Sequence, residues 1–282
     1  MSPDESPSPV PRFARDQEAF RTIPGDPAAG LLLIADHASN ALPAEFGTLG
    51  LDAGQLLRHI AYDIGVEQLT RALAERLGIP AVLSSFSRLL IDPNRGSDDP
   101  TLIMRLSDGA IVPGNAKVDA EERARRIARF WQPYSSAIAT AVDAAMAAGR
   151  PPLILAVHSY TPVWRGRPRP WHCGILWDQD PRAAQALIAE LAADPDLVVG
   201  DNEPYDGALR GDTLYRHATA RGLAHALLEV RQDLIADAAG VAAWTDRLAP
   251  ILVRLAEDQR MHQVEMHGSR TGPVVTTGRP TP

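Results

Sequence analysis

The sequence predicts an α/β fold in three layers, α/β/α, with a mainly parallel mixed sheet between the helices. Two patterns predict it. Short runs that are apolar throughout recur along the chain, as in strands covered on both faces. Between them lie longer segments whose apolar residues return at helical spacing. At 282 residues, 45% of them hydrophobic, the chain is long enough for one sizeable core.

Residues 1–27, with Pro3, Pro7, Pro9 and Pro11 among acidic and small residues, read as a flexible tail. They have neither the basic start nor the apolar core of a secretory signal, so a cytoplasmic location is expected. A single domain follows over residues 28–262. Its first strand is Leu31 to Ala35. Ile64, Leu69, Leu73 and Leu77 then mark one face of a helix that stops at Gly78 and Pro80. Ala81 to Leu83 and Leu89 to Ile91 have the length and bounding residues of buried strands. Ile127, Trp131, Tyr134, Ile138 and Val142 mark a long helix that Pro133 must kink or break. Strands are expected again at Leu153 to Val157 and Gly174 to Trp177, then a helix through Ala184, Leu187, Ile188 and Leu191. Leu197 to Val199 and Ala226 to Leu228 complete the strands, and Val241, Trp244, Leu248, Ile251 and Leu255 mark a last helix. Residues 263–282 read as a second flexible tail, and no internal repeat is evident.

Composition excludes several functions. With 28 Lys and Arg against 35 Asp and Glu, the net charge of −7 opposes a protein built to grip nucleic acid. No apolar run approaches the roughly 20 residues that cross a bilayer. Lys117 is the only lysine, so no arginine is special merely for being arginine. The single Cys173 excludes an internal disulfide and a thiolate-rich zinc site, and reads as a small buried hydrophobe.

Ligands of open α/β sheets bind outside the carboxyl ends of the strands. Those ends are rich in chemistry here. The first run leads into Asp36-His37-Ala38-Ser39-Asn40, and the Leu89 run into Asp92-Pro93-Asn94-Arg95-Gly96. The Leu153 run leads into His158-Ser159-Tyr160, and the Ala226 run into Glu229-Val230-Arg231-Gln232-Asp233. Two histidines, each after an apolar strand, suit a catalytic metal that takes mixed His and carboxylate ligands and keeps a position for water. Asp63, in Ala61-Tyr62-Asp63-Ile64-Gly65, is the leading third ligand, and equally a cap for the helix that follows. No phosphate loop, His-Glu-x-x-His pair or Gly-x-Ser-x-Gly elbow occurs. The histidines of the run from His262 to His267 would fall on different helix faces. Trp164 to Trp171, basic with flanking aromatics, reads as an exposed loop that could present cations to an anionic small molecule.

The ordered set His37-Ala38-Ser39-Asn40, Tyr62-Asp63-Ile64-Gly65, Asp92-Pro93-Asn94-Arg95, His158-Ser159-Tyr160 and Leu228-Glu229-Val230-Arg231-Gln232-Asp233-Leu234 resembles the N-formylglutamate amidohydrolase family over roughly residues 28 to 260. The better-known deformylases read Pro-His-Ser-Gly at Asp36-His37-Ala38-Ser39 and Asp-Leu-Asn-Arg at Asp92-Pro93-Asn94-Arg95, which marks a divergent branch. The resemblance implies a fold like that of the zinc-dependent exopeptidases and a Zn²⁺ held by His37, Asp63 and His158, with water in the fourth position. It further implies an amidohydrolase that removes an acyl group, formyl included, from a small anionic N-acyl amino acid such as N-formylglutamate. Another divalent metal also suits two histidines and a carboxylate.

Glu229 is expected to take the proton of the attacking water and hand it to the departing amine, with a structural salt bridge as the plainer alternative. Arg95 is expected to hold the substrate carboxylate, with Arg231 and the arginines of residues 165–169 in reserve. Asn94 and Ser159 are expected to orient a ligand histidine or the attacked carbonyl. The competing functions are a carboxypeptidase-like or peptidoglycan-type zinc amidase, and a non-catalytic binding protein that keeps the fold.

Overall fold

The computed structural model describes residues 12–13 and 18–274. Seven strands form one mixed sheet: β1 (Phe20–Ile23), β2 (Leu31–Ala35), β3 (Ala81–Ser84), β4 (Leu153–Tyr160), β5 (Cys173–Leu176), β6 (Val199–Asp201) and β7 (His225–Arg231). Across the sheet they lie in the order β6-β5-β7-β4-β2-β3-β1. β7, β4, β2 and β3 run parallel, and β1 pairs antiparallel with β3 at one edge. On the other side β5 is antiparallel to β7 and parallel to β6.

Alternation along β2 shows why its whole run is apolar. Leu31, Leu33 and Ala35 enter a core shared with helices α1 (Val66–Leu77), α4 (Pro181–Ala192) and α6 (Ala238–Glu257). Leu32 and Ile34 enter a second core with α3 (Gln132–Ala147) and the loops around Phe86 and Leu102. Leu32, Leu33 and Ile34 are all 0% exposed, and each such burial stabilises the fold by about 1.5–3 kcal/mol. No helix among the described residues is long and apolar enough to cross a membrane.

α1 ends where the sequence placed its stop. Gly78 takes φ 64 and donates its N–H to the Ala74 carbonyl, a left-handed cap that favours glycine. The helix expected around Pro133 is divided: α2 (Ala120–Arg126) runs into a π-helical segment, Ile127–Trp131, before α3 begins. Proline has no N–H for the carbonyl four residues back, and the wide turn ahead of it accommodates the missing bond.

Several expectations are corrected. Leu89 to Ile91 is no strand. The Leu90 N–H bonds the Ser87 carbonyl and the Asp92 N–H bonds the Leu102 carbonyl, so the run is a compact turn, apolar because it lies in the second core. Leu197 to Val199 meets the sheet only at its last residue, where β6 starts. The first expected tail contains β1, and Arg12–Phe13 pairs in parallel with Leu42–Pro43. In the second, the Glu265 N–H bonds the Gly222 carbonyl and Arg270 pairs with Asp178 and Asp206. The rest of both expected tails, residues 1–11, 14–17 and 275–282, lies outside the described residues.

Chain direction positions the site. β2 leads through α1 to β3 on one side, whereas β4 leads to β5 and β7 on the other. A cleft opens at the carboxyl ends of strands where the connections part in this way, here between β2 and β4.

Candidate metal centre

His37 lies two residues beyond β2, and His158 is still within β4, opposite Glu229 of β7 in the ladder. Asp63 arrives from the loop ahead of α1. Its N–H bonds the His37 carbonyl at 2.9 Å, and the Ser159 hydroxyl bonds the Ile64 carbonyl at 2.8 Å, so both neighbouring segments hold the loop. Gly65 then turns the chain into α1 at φ 82, and a Cβ there would stand 2.1 Å from the Ile235 carbonyl oxygen. Only glycine fits. The helix is capped at Gly65 with no side-chain cap, so the reading of Asp63 as a helix cap fails.

The Asp63 carboxylate faces both histidines. Its Oδ2 is 2.8 Å from His158 Nδ1 and 3.4 Å from His37 Nδ1. On the far side of each ring a further carboxylate stands: His37 Nε2 is 2.7 Å from Asp92 Oδ1, and His158 Nε2 is 3.2 Å from Asp36 Oδ2. The two rings meet edge to face with centroids 4.9 Å apart. One donor atom from each of His37, Asp63 and His158 lies within 4.8 Å of the others, and all three residues are buried. Two imidazoles and a carboxylate, converging in the interior and backed by outer carboxylates that fix ring orientation, match a divalent cation such as zinc in donor chemistry.

Electrostatics support that match. Burial alone would raise the pKa of Asp63, but His37 and His158 outweigh it and hold the carboxyl far below its ordinary range. Burial would likewise raise that of Asp92, which the Arg88 guanidinium and His37 hold well below. For His158 burial works against the charged ring, yet hydrogen bonds to Asp36 and Asp63 push its pKa well up. The centre therefore collects buried negative charge that calls for a cation, from a proton or a metal.

Glu229 is 7% exposed, and its Oε2 has no hydrogen-bond partner. Burial pushes its pKa up to about 7. The salt-bridge alternative has no partner in place: Glu229 forms no ion pair among the described residues. It lines a pocket of about 380 Å³ together with His37, Asp63, His158, Asn94, Arg95 and Ser159.

The remaining expected contacts divide. Arg95 reaches the pocket half-buried. Asn94 Oδ1 accepts the N–H of Thr213, the first residue of α5 (Thr213–His217), and the Ser159 hydroxyl serves the Asp63 loop. Neither is hydrogen-bonded to a ligand histidine. Arg231 does not line the pocket, because Asp233 holds its guanidinium at 2.8 Å and the carbonyls of Arg169 and Trp171 accept from it. The Trp164 to Trp171 stretch continues a small antiparallel hairpin, Val163–Trp164 against Arg167–Pro168; Arg169 is buried, Trp164 and Trp171 are half-buried, and the rest is exposed. Both ring nitrogens of His262 lie against carbonyls, of Pro151 and Ala256, and not against a metal site. Sequence reasoning passed over Arg88, Thr213 and the outer-carboxylate role of Asp36 and Asp92. Thr213 donates to Asp36 Oδ1 at 2.6 Å, and Arg88 donates to Asp92 Oδ2 at 2.9 Å. The available signal was position, since Asp36 adjoins a ligand histidine and Asp92 opens the Asp-Pro-Asn-Arg motif.

The family model described as N-formylglutamate amidohydrolase matches residues 29–236. A gene product of Agrobacterium tumefaciens of known structure is 34% identical, with a TM-score of 0.80 over 86% of this chain and 96% of that one. The N-formylglutamate amidohydrolase of Ralstonia eutropha JMP134 is 26% identical, with a TM-score of 0.68 over 85% of this chain and 97% of that one. No curated protein sequence matches the chain. The pattern of motifs, the mixed sheet and a match spanning the whole site agree: the chain belongs to the N-formylglutamate amidohydrolase family.

Proposed function

We propose that the chain is a metal-dependent amidohydrolase that removes an acyl group from a small anionic N-acyl amino acid. The observation that carries this reading is an unpartnered, buried carboxylate, Glu229, lining the same pocket as a convergent His37, Asp63 and His158. Family membership supports hydrolysis of an amide of the N-formylglutamate type. His37, Asp63 and His158 would hold the ion, for which zinc suits the donors best. A bound divalent ion supplies Lewis acidity, polarising an amide oxygen and bringing the pKa of a water it holds toward about 7.

The chain's own residues do the rest. Glu229 Oε2 accepts the proton of the attacking water and returns it to the departing nitrogen, a cycle that suits a carboxyl whose pKa burial raises. Arg95 is the pocket cation left to meet a substrate carboxylate with two parallel hydrogen bonds. Asp36 and Asp92 fix the orientation of the two rings, and Ser159 keeps Asp63 between them. Cys173, buried in β5 and free, suits a reducing cytoplasm.

Chelation followed by reconstitution tests the reading. Turnover of N-formyl-L-amino acids should vanish in chelator-treated protein and return with Zn²⁺ or another divalent ion. Turnover that survives full removal of metal contradicts it. Hydrolysis of short peptides in preference to N-acyl amino acids would favour a carboxypeptidase-like amidase instead.

A further inference from the structure

The charges around the pocket restrict what the substrate can carry besides its scissile amide. The arginines around the pocket differ in what they already hold. Arg88 is held by Asp92 at 2.9 Å and faces Asp63 at 3.6 Å. Arg231 is held by Asp233. Arg169 lies with its guanidinium over the rings of Tyr160, Trp164 and Tyr205, at 5.4, 5.3 and 5.0 Å, and donates to the Tyr205 hydroxyl at 3.0 Å. Arg95 lines the pocket with no ion pair among the described residues, and its guanidinium bonds only the Asn94 carbonyl, at 3.4 Å, whereas Arg169, likewise without an ion pair, is stacked on the three rings and does not line the pocket.

Among the described residues no other cation without a carboxylate partner lines the pocket. His59, at its rim, is kept below its ordinary pKa first by burial. Asp108 and Asp206 are matched by Arg58 and Arg270, while Asp212 and Glu229 have no ion pair among the described residues. A second carboxylate would therefore enter without a partner and beside Asp212, which no cation matches among the described residues. The pocket also carries apolar surface: Ile60, Trp164, Leu176, Leu209 and Leu227 line it, and Trp164 forms a wall with Tyr205, which is left 44% exposed. Arg169 stacks on Tyr205 and Trp164, so this wall stands ready before any ligand arrives.

We infer that the pocket selects N-acyl amino acids with a single carboxylate, met by Arg95, and one apolar or aromatic group, met by the wall of Trp164 and Tyr205. This rests on the amidohydrolase reading above and narrows its substrate from a dicarboxylate to a monocarboxylate. The reaction is simple addition of water: the amide C–N bond breaks, a C–O bond forms, and the products are a free carboxylic acid and an amino acid. The apolar group is carried either by the amino-acid side chain or by the acyl group, and the two substrates below separate these cases.

The test compares N-formyl-L-glutamate, N-formyl-L-glutamine, N-formyl-L-phenylalanine and N-benzoylglycine. kcat/KM is measured on metal-loaded protein, and binding by calorimetry on metal-loaded Glu229→Gln. The expected result is a preference of about 10- to 100-fold for N-formyl-L-phenylalanine or N-benzoylglycine over N-formyl-L-glutamate, in both measurements. Which of the two leads tells whether the side chain or the acyl group occupies the wall. Tyr205→Ala, at an exposed position, should reduce the preference about tenfold. An equal or greater preference for N-formyl-L-glutamate, or a preference that Tyr205→Ala leaves untouched, overturns the inference. If nothing is turned over while binding keeps the expected order, the hydrolytic reading fails and the selectivity stands. Binding of none of the four overturns the selectivity as well.

Discussion

Replacing Glu229 with glutamine should remove activity while making the protein more stable. The carboxyl is 7% exposed with one oxygen unpartnered, and burial raises its pKa from 4.5 to about 7. A raised pKa means that the native state binds this proton more tightly than the unfolded chain. Stability therefore falls as pH rises from about 4.5 to about 7, and the loss persists above that window. At about 1.4 kcal/mol per pH unit, ionised Glu229 costs the metal-free fold about 3 kcal/mol at pH 8. Glutamine has nearly the same shape and no charge. In urea unfolding of metal-free protein, Glu229→Gln should gain about 3 kcal/mol at pH 8 and almost nothing at pH 4.5. Turnover of the metal-loaded variant should drop by about 10²- to 10⁴-fold, the usual contribution of a positioned general base. For the unmodified metal-loaded protein, kcat/KM should rise with pH as Glu229 loses its proton, and Glu229→Gln should abolish that limb. A variant less stable than the parent at pH 8 would refute the burial argument, and turnover within threefold of the parent would remove Glu229 from the chemistry.

Asp92→Asn should weaken metal binding by about 10- to 100-fold in a competition titration, because Asp92 holds the far nitrogen of His37; unchanged affinity would exclude that supporting role. Arg95→Ala should raise KM for an N-acyl amino acid by about 10- to 100-fold with metal content intact, the loss expected for a charge-assisted pair. An unaltered KM would mean that the carboxylate binds elsewhere. Leu33→Ala, at a 0% exposed position of β2, should cost about 2–5 kcal/mol in urea unfolding, and a cost below about 1 kcal/mol would contradict its place in the core.

The layers of the fold were legible because both signals are local. An all-apolar run such as Leu31 to Ala35 reports burial on two faces, and Gly78 reports the end of α1 through its own backbone freedom. The same signal misled at Leu89 to Ile91, since apolarity records burial and not the partner of each N–H: this run packs into the second core as a turn. β1 was hidden because an edge strand with Phe20 and Ile23 around Arg21 and Thr22 lacks a continuous apolar stretch. At the site, motif order sufficed to collect His37, Asp63, His158 and Glu229 around one pocket. Direction of side chains was not legible. Arg231 follows Glu229 by two residues in β7, yet its guanidinium leaves the pocket for Asp233. Ser159 and Asn94 are near the chemistry, but their hydrogen bonds go to the Ile64 carbonyl and the Thr213 amide, pairings that depend on segments far away in the chain.

Metal content measures the central claim most directly. Protein reconstituted with Zn²⁺ and freed of excess by gel filtration should carry about one ion per chain, and His158→Ala should carry far less while keeping the secondary structure of the parent by circular dichroism. Parent protein that holds no ion, or a folded His158→Ala protein that retains a full equivalent, would contradict the assignment of His37, Asp63 and His158 as the metal centre.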